Sequence, residues 1–157
     1  VAKVVEDALR TLLIRDLPLP EPVVVQKGTT LRETVEAMQA RRRPCVLVCE
    51  GRAIAGIFTE RDVLTRLTMG EVDYTAPIDG VMTPEPKTLR PDDRVADAIK
   101  LMTEAGYRHI PLVDAEGYGV GLLSARDVLV YIAEHFPAEV LNLPPRLHQL
   151  LRRVDGG

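Results

Sequence analysis

The chain repeats itself. Residues 56–64, GIFTERDVL, lie over residues 121–129, GLLSARDVL, at an offset of 65 positions, with Gly, Arg, Asp, Val and Leu identical. Such a duplication dictates architecture, because each copy forms the same supersecondary unit and buries its apolar face against the other. Upstream the likeness continues as pattern. Leu31, Val35 and Met38 correspond to Val95, Ile99 and Met102, each set recurring at i, i+4 and i+7 as one face of a helix. There the offset is 64, so one residue is gained before the strands that follow.

Local signals complete the unit. Thr30 followed by Glu33 has the spacing of a capping box, Asp92 or Asp93 is placed to cap the second helix, and Gly106 to close it. Two short apolar strands follow each helix, 45–49 and 53–58 in the first unit and 109–113 and 120–123 in the second, joined at Glu50-Gly51 and across Glu116-Gly117. A last helix runs from 60 to about 69 and from 125 to about 135. The fold class expected is α/β: two β-α-β-β-α repeats packed with pseudo-twofold symmetry, at 18–70 and 81–136, joined by a linker at 71–80. Two flanks remain. An amphipathic helix is expected over 1–16, with Val5, Leu9, Leu12 and Leu13 on one side, and another over 147–154 within a C-terminal extension at 137–157.

Charge and composition exclude several functions. Twenty basic residues against 23 acidic ones give a net charge of -3, which argues against nucleic-acid binding through a basic face. With 4% aromatic residues and no Trp, a base-stacking platform is poor and the core is aliphatic. No apolar run approaches the roughly 18 residues of a membrane helix, so a cytoplasmic protein without membrane attachment is expected. Cys45 and Cys49 lie four apart on one strand, about 13 Å from each other, too far for a disulfide, and read as buried thiols. Neither C-x-x-C spacing nor companion histidines suggest zinc. The Arg41-Arg42-Arg43 run reads as a solvated helix end, and His135 and His148 as helix-surface residues.

The repeated [TS]-x-R-D places a hydroxyl and a carboxylate at each strand-to-helix junction, as Thr59 with Asp62 and Ser124 with Asp127. A capping box accounts for the hydroxyl and the acid. It does not account for the duplicated Arg61 and Arg126, nor for Asp in both copies where Glu caps as well. A helix N-terminus with an adjacent Arg offers donors and positive charge to a phosphate, and a carboxylate accepts two hydrogen bonds from a ribose diol. Together these describe a nucleotide.

The second unit, VMTPEPKTLRPDDRVADAIKLMTEAGYRHIPLVDAEGYGVGLLSARDVL, and the latter half of the first closely resemble cystathionine-β-synthase-type (CBS) domains, whose tandem pair is known as a Bateman module. The resemblance implies two clefts binding adenosine nucleotides such as AMP, ADP or ATP, with Asp on ribose and Ser or Thr near phosphate. It assigns Thr59, Arg61, Asp62, Arg108, His109, Thr83, Lys87 and Thr88 to a first cleft. To a second cleft it assigns Ser124, Arg126, Asp127, Arg43, Val23 and Val25. The first unit departs from the pattern, with Leu19-Pro20-Glu21-Pro22 in place of V-M-T and no His before its strand, which makes the second cleft the weaker match.

The function expected is therefore a non-enzymatic sensor that needs no cofactor, binds an adenosine nucleotide and passes its state to a regulated protein or across a homodimer. NAD and S-adenosylmethionine share the adenosine that the motif would read. The alternative is a dimerisation scaffold with empty clefts. An enzyme such as a nucleotide hydrolase is disfavoured, because no G-x-x-x-x-G-K-[ST], H-E-x-x-H or ligand-spaced His/Asp/Glu group is present in the sequence.

Overall fold

The computed structural model describes residues 2–70 and 72–136. The helix expected at 147–154, and His148, lie outside the described residues. The first repeat comprises β1 (Val23–Gln26), α2 (Leu31–Arg41), β2 (Cys45–Glu50), β3 (Ala53–Thr59) and α3 (Glu60–Thr68), preceded by α1 (Ala2–Thr11). The second comprises α4 (Val95–Ala105), β5 (His109–Val113), β6 (Gly119–Ser124) and α5 (Ala125–His135), preceded by a short strand β4 (Thr83–Pro84). The chain is an α/β protein of two like repeats.

Each repeat builds its own sheet and core. In the first, β1 runs parallel to β2, β2 antiparallel to β3, and β3 antiparallel to β4. Its core joins Val23 and Val25, Leu31 and Met38 from α2, Val46 and Val48 from β2, and Phe58. In the second, β5 and β6 pair antiparallel, and Leu89 bridges Leu112 in parallel at the place corresponding to β1. Alternating inward valines on β1 and a continuous apolar run on β2 are what half-buried and fully buried strands require.

Helix α2 begins at the expected capping box: the Glu33 N–H donates to Thr30 Oγ1 at 3.2 Å and the Thr30 N–H to Glu33 Oε2 at 3.0 Å. Helix α4 begins otherwise. Arg94 precedes it without a side-chain cap, while Asp93 accepts from the Arg90 N–H and Asp92 pairs with Arg15. Gly106 closes α4 at φ 74°.

The N-terminal flank also differs from a helix over 1–16. Helix α1 ends at Thr11, because the next residues find backbone partners in the second repeat. The Ile14 and Arg15 N–H groups donate to the Asp93 and Pro91 carbonyls, and the Val95 N–H donates to that of Leu12, each at 2.9 Å. These bonds anchor the flank, and Leu9, Ile14 and Leu17 complete the core of Val95, Ala98, Ile110, Leu112, Leu123 and Val128. Fully burying a side chain such as Ile14 contributes about 1.5–3 kcal/mol. The segment before β4 is likewise packed. The Gly28 N–H donates to Asp79, and Ile78 is buried in the first core.

Contacts among the described residues join the repeats. The turns between the paired strands meet, with a bridge from Ala53 to Tyr118, the Gly119 N–H on the Arg52 carbonyl at 3.0 Å, and the Arg52 guanidinium 4.4 Å from the Tyr118 ring centre. Strand β4, from the opening of the second repeat, adds to the sheet of the first. At Gly56 a Cβ would lie 2.7 Å from the Thr83 carbonyl oxygen, so only glycine admits that strand.

Candidate functional site: a cleft between the repeats

The exchange of segments leaves a cleft of about 520 Å³ between the repeats. That volume lies within the range of small-molecule sites. One wall is the opening of the first repeat, Pro20 to Val23, with Arg42, Arg43, Pro44 and Cys45 at the end of α2 and start of β2. The facing wall is Arg108 and His109 at the start of β5, Leu122 and Ser124 on β6, and Ala125, Arg126 and Asp127 in the first turn of α5.

Ser124 and Asp127 form a complete capping box. The Asp127 N–H donates to Ser124 Oγ at 3.1 Å, while Asp127 Oδ2 accepts the Ser124 N–H at 2.8 Å and its hydroxyl at 2.7 Å. The Ala125 N–H is taken by the Arg108 carbonyl at 2.9 Å, which ties β5 to the start of α5. Thr59 and Asp62 repeat this arrangement at 2.8, 3.0 and 3.3 Å, and the Glu60 N–H donates to the Pro44 carbonyl. The hydroxyl protons are thus directed at the carboxylates, and the side chains of these junctions that keep free donors are the guanidiniums of Arg61 and Arg126.

Two titratable groups at the base of the cleft are perturbed. Burial holds His109 below its ordinary pKa of 6.5 and Arg108 pushes the same way, against Asp127 and Glu60. The imidazole is therefore neutral near pH 7. Burial, and then the charge of Asp62, push the Cys45 thiol up to about 12, so it is an unreactive protonated thiol. Cys45 and His109 occupy equivalent places in the two repeats, and both line the cleft. Both cysteines are buried and free, and among the described residues no group of three His, Cys, Asp or Glu is arranged to hold a metal ion.

The structure sorts the expected site residues differently from the two assigned sets. Ser124, Arg126, Asp127, Arg43 and Val23 line the cleft, and Arg108 and His109, assigned to the other cleft, line this one with them. Thr59, Arg61 and Asp62 sit at the opposite junction, outside its lining. Thr83 lies on β4 opposite Ile57, and Lys87 and Thr88 are exposed beyond it. Val25 faces the core of the first repeat. Pro20, Pro22 and Arg42 also line the cleft, where the sequence does not lead one to expect them. Pro20 and Pro22 stand in the stretch that departs from V-M-T, and Arg42 in the run taken for a solvated helix end.

The chain matches the CBS domain family twice, over residues 14–68 and 78–134. It belongs to the CBS-domain family. Among curated relatives, the "Meiotically up-regulated gene 70 protein" of Schizosaccharomyces pombe is 34% identical over 105 residues, 66% of this chain and 14% of that protein. An "Uncharacterized 17.7 kDa protein in bps2 3'region" of Acidianus ambivalens is 29% identical over 106 residues, 67% of this chain and 63% of that one. The chain thus spans less than two thirds of either relative. Among solved structures, the CBS domain protein PAE2072 from Pyrobaculum aerophilum, complexed with AMP, superposes at a TM-score of 0.70 with 23% identity, over 78% of this chain and 99% of that one. The CBS domain pair of protein MJ0100, in complex with 5-methylthioadenosine and S-adenosyl-L-methionine, gives 0.69 with 19% identity, over 76% and 98%. These likenesses establish the fold of a CBS pair. Among the described residues no helix is long and apolar enough to cross a membrane.

Proposed function

We propose that this CBS pair is a cytoplasmic, non-enzymatic sensor that binds an adenosine nucleotide in the 520 Å³ cleft and passes the bound state to a regulated protein or across a homodimer. One observation carries the reading: the first turn of α5, with Asp127 and Arg126, shares a single cleft with Arg43 and with Pro20, Pro22 and Val23 of the first repeat's opening. Helix dipole and guanidiniums suit phosphate, the unbonded Oδ1 of Asp127 suits a ribose diol, and the proline-rich wall suits a base. The AMP and S-adenosylmethionine held by the related structures agree with an adenosine ligand. Free, buried thiols agree with a reducing compartment.

Isothermal titration with AMP, ADP and ATP tests the reading. Binding that is weakened by Asp127→Ala supports it, by roughly 1–3 kcal/mol for the lost charge-assisted hydrogen bonds. Absence of heat and of any melting shift at millimolar nucleotide leaves the scaffold reading, which the complete capping boxes favour.

A further inference from the structure

We propose that the cleft selects its ligand by phosphate charge, taking a nucleoside di- or triphosphate in preference to a monophosphate, an uncharged nucleoside or a cationic sulfonium nucleoside. This rests on the nucleotide reading above and names the ligand class for the same site.

The ground is the charge on the cleft wall. Arg42, Arg43, Arg108 and Arg126 all border it. The ion pairs among the described residues are Arg10–Glu6, Arg15–Asp92 and Lys27–Glu50, so none of the four is engaged. The carboxylates on the wall are Glu21 and Asp127, and Asp127 already spends one oxygen on its helix cap. On the lining itself four guanidiniums stand against two carboxylates, with Glu60 and Asp62 felt from outside it at His109 and Cys45, so the surface a ligand meets is predominantly positive, which opposes a cation and which a phosphate chain neutralises. The arginines also come from both repeats, two at the end of α2, one before β5 and one in α5. An extended polyanion reaches more of them than a single phosphate does.

Arg42 supplies an independent indication. It ends α2 in the left-handed region at φ 51°, where a side chain is disfavoured. At the equivalent place in the second repeat, α4 ends on Gly106 at φ 74°. Helix termination calls for the glycine. A guanidinium at the cleft calls for the arginine.

The test is titration in magnesium-free buffer with adenosine, AMP, ADP, ATP, S-adenosylmethionine and inorganic tripolyphosphate. We expect affinity to rise with phosphate number, ATP binding at least about tenfold more tightly than AMP, since one added charge-assisted hydrogen bond is worth that much. Tripolyphosphate displaces ATP, and added salt weakens ATP more than adenosine. Arg42→Gly, which installs the glycine of the other repeat, lowers ATP affinity without lowering the melting temperature. AMP, adenosine or S-adenosylmethionine binding as tightly as ATP overturns charge selection and leaves the nucleotide reading standing. Tripolyphosphate binding with no adenosine compound bound overturns the nucleotide reading and keeps charge selection. No binding by any probe overturns both.

Discussion

Asp127 turns one carboxylate oxygen, Oδ2, back onto Ser124, accepting both its N–H at 2.8 Å and its hydroxyl at 2.7 Å. Its Oδ1 makes no hydrogen bond among the described residues, and the same holds for Asp62 beside Thr59. Capping and ligand contact are therefore compatible roles of one side chain. One oxygen ties off the helix, and the other keeps its lone pairs free of protein donors among the described residues.

These two roles separate by mutation. Ser124→Ala removes the cap acceptor and should cost about 0.5–2 kcal/mol of unfolding free energy in urea, the usual loss for a serine N-cap. It should leave nucleotide affinity nearly unchanged, because the carboxylate remains. Asp127→Ala should lose both stability and affinity. Loss of binding in Ser124→Ala at full stability would transfer the ligand contact to the hydroxyl.

His109 should make the protein sensitive to mild acid. Its folded-state pKa lies below the unfolded value of 6.5, so on acidification the unfolded chain takes up the proton first. Native stability should therefore fall as pH drops through about 6.5 toward the folded value, and be fully restored above it. The groups around the imidazole are Asp127, Arg108 and Glu60, with Arg43, Arg126, Cys45 and Glu21 on the same cleft and Ser124 opposite in register. A bound phosphate favours the imidazolium, so nucleotide binding should strengthen as pH falls through the same window. Urea midpoints and titrations at about pH 5.5 and 7.5 check both trends, which His109→Gln should flatten. An unchanged pH dependence in that variant would assign the effect elsewhere.

The two repeats differ in how much room their glycines guard. At Gly56 a Cβ would meet the Thr83 backbone oxygen at 2.7 Å, whereas at the equivalent Gly121 the nearest atom is the Leu112 Cδ1 at 3.3 Å. Backbone cannot yield as a side-chain methyl can. Gly56→Ala should thus destabilise by about 1–3 kcal/mol, the cost of overpacking, and Gly121→Ala by clearly less, as read from urea midpoints. Equal costs would mean that β4 lies further from β3 than the structure places it.

Strands β2, β3, β5 and β6 fall within a residue of where the duplicated apolar runs place them, and α3 and α5 begin at the repeated [TS]-x-R-D. Repetition makes such elements legible, because one noisy pattern is read twice. Partners chosen across the chain are not legible in this way. Helix α1 stops at Thr11: Asp16 takes the Leu13 N–H at 3.2 Å, and the distant Asp93 and Pro91 carbonyls take those of Ile14 and Arg15, partners that no pattern in 1–16 announces. Thr83–Pro84 joins the other repeat's sheet for a reason that lies in Gly56, which sequence shows only as a glycine. In the site, the acid and hydroxyl were visible from their motif. That Arg108 and His109 share a cleft with Ser124 and Asp127 depends on how the two units pack.

The same pseudosymmetry predicts how copies of the chain associate. Leu64 on α3 and Leu129 on α5 hold the same position in the two repeats and are exposed by 63% and 66%, with Met69 and Val130 also exposed. A large aliphatic side chain kept in water twice over has no role in either core, and a repeated surface position is suited to the self-complementary contact of a twofold dimer. Sedimentation at micromolar concentration should give a dimer, and Leu64→Glu with Leu129→Glu should give a folded monomer whose melting temperature no longer rises with protein concentration, since neither side chain packs inside the subunit. A dimer that survives both charges would place the interface away from α3 and α5, and a monomeric wild type would remove the homodimer from the proposed mechanism.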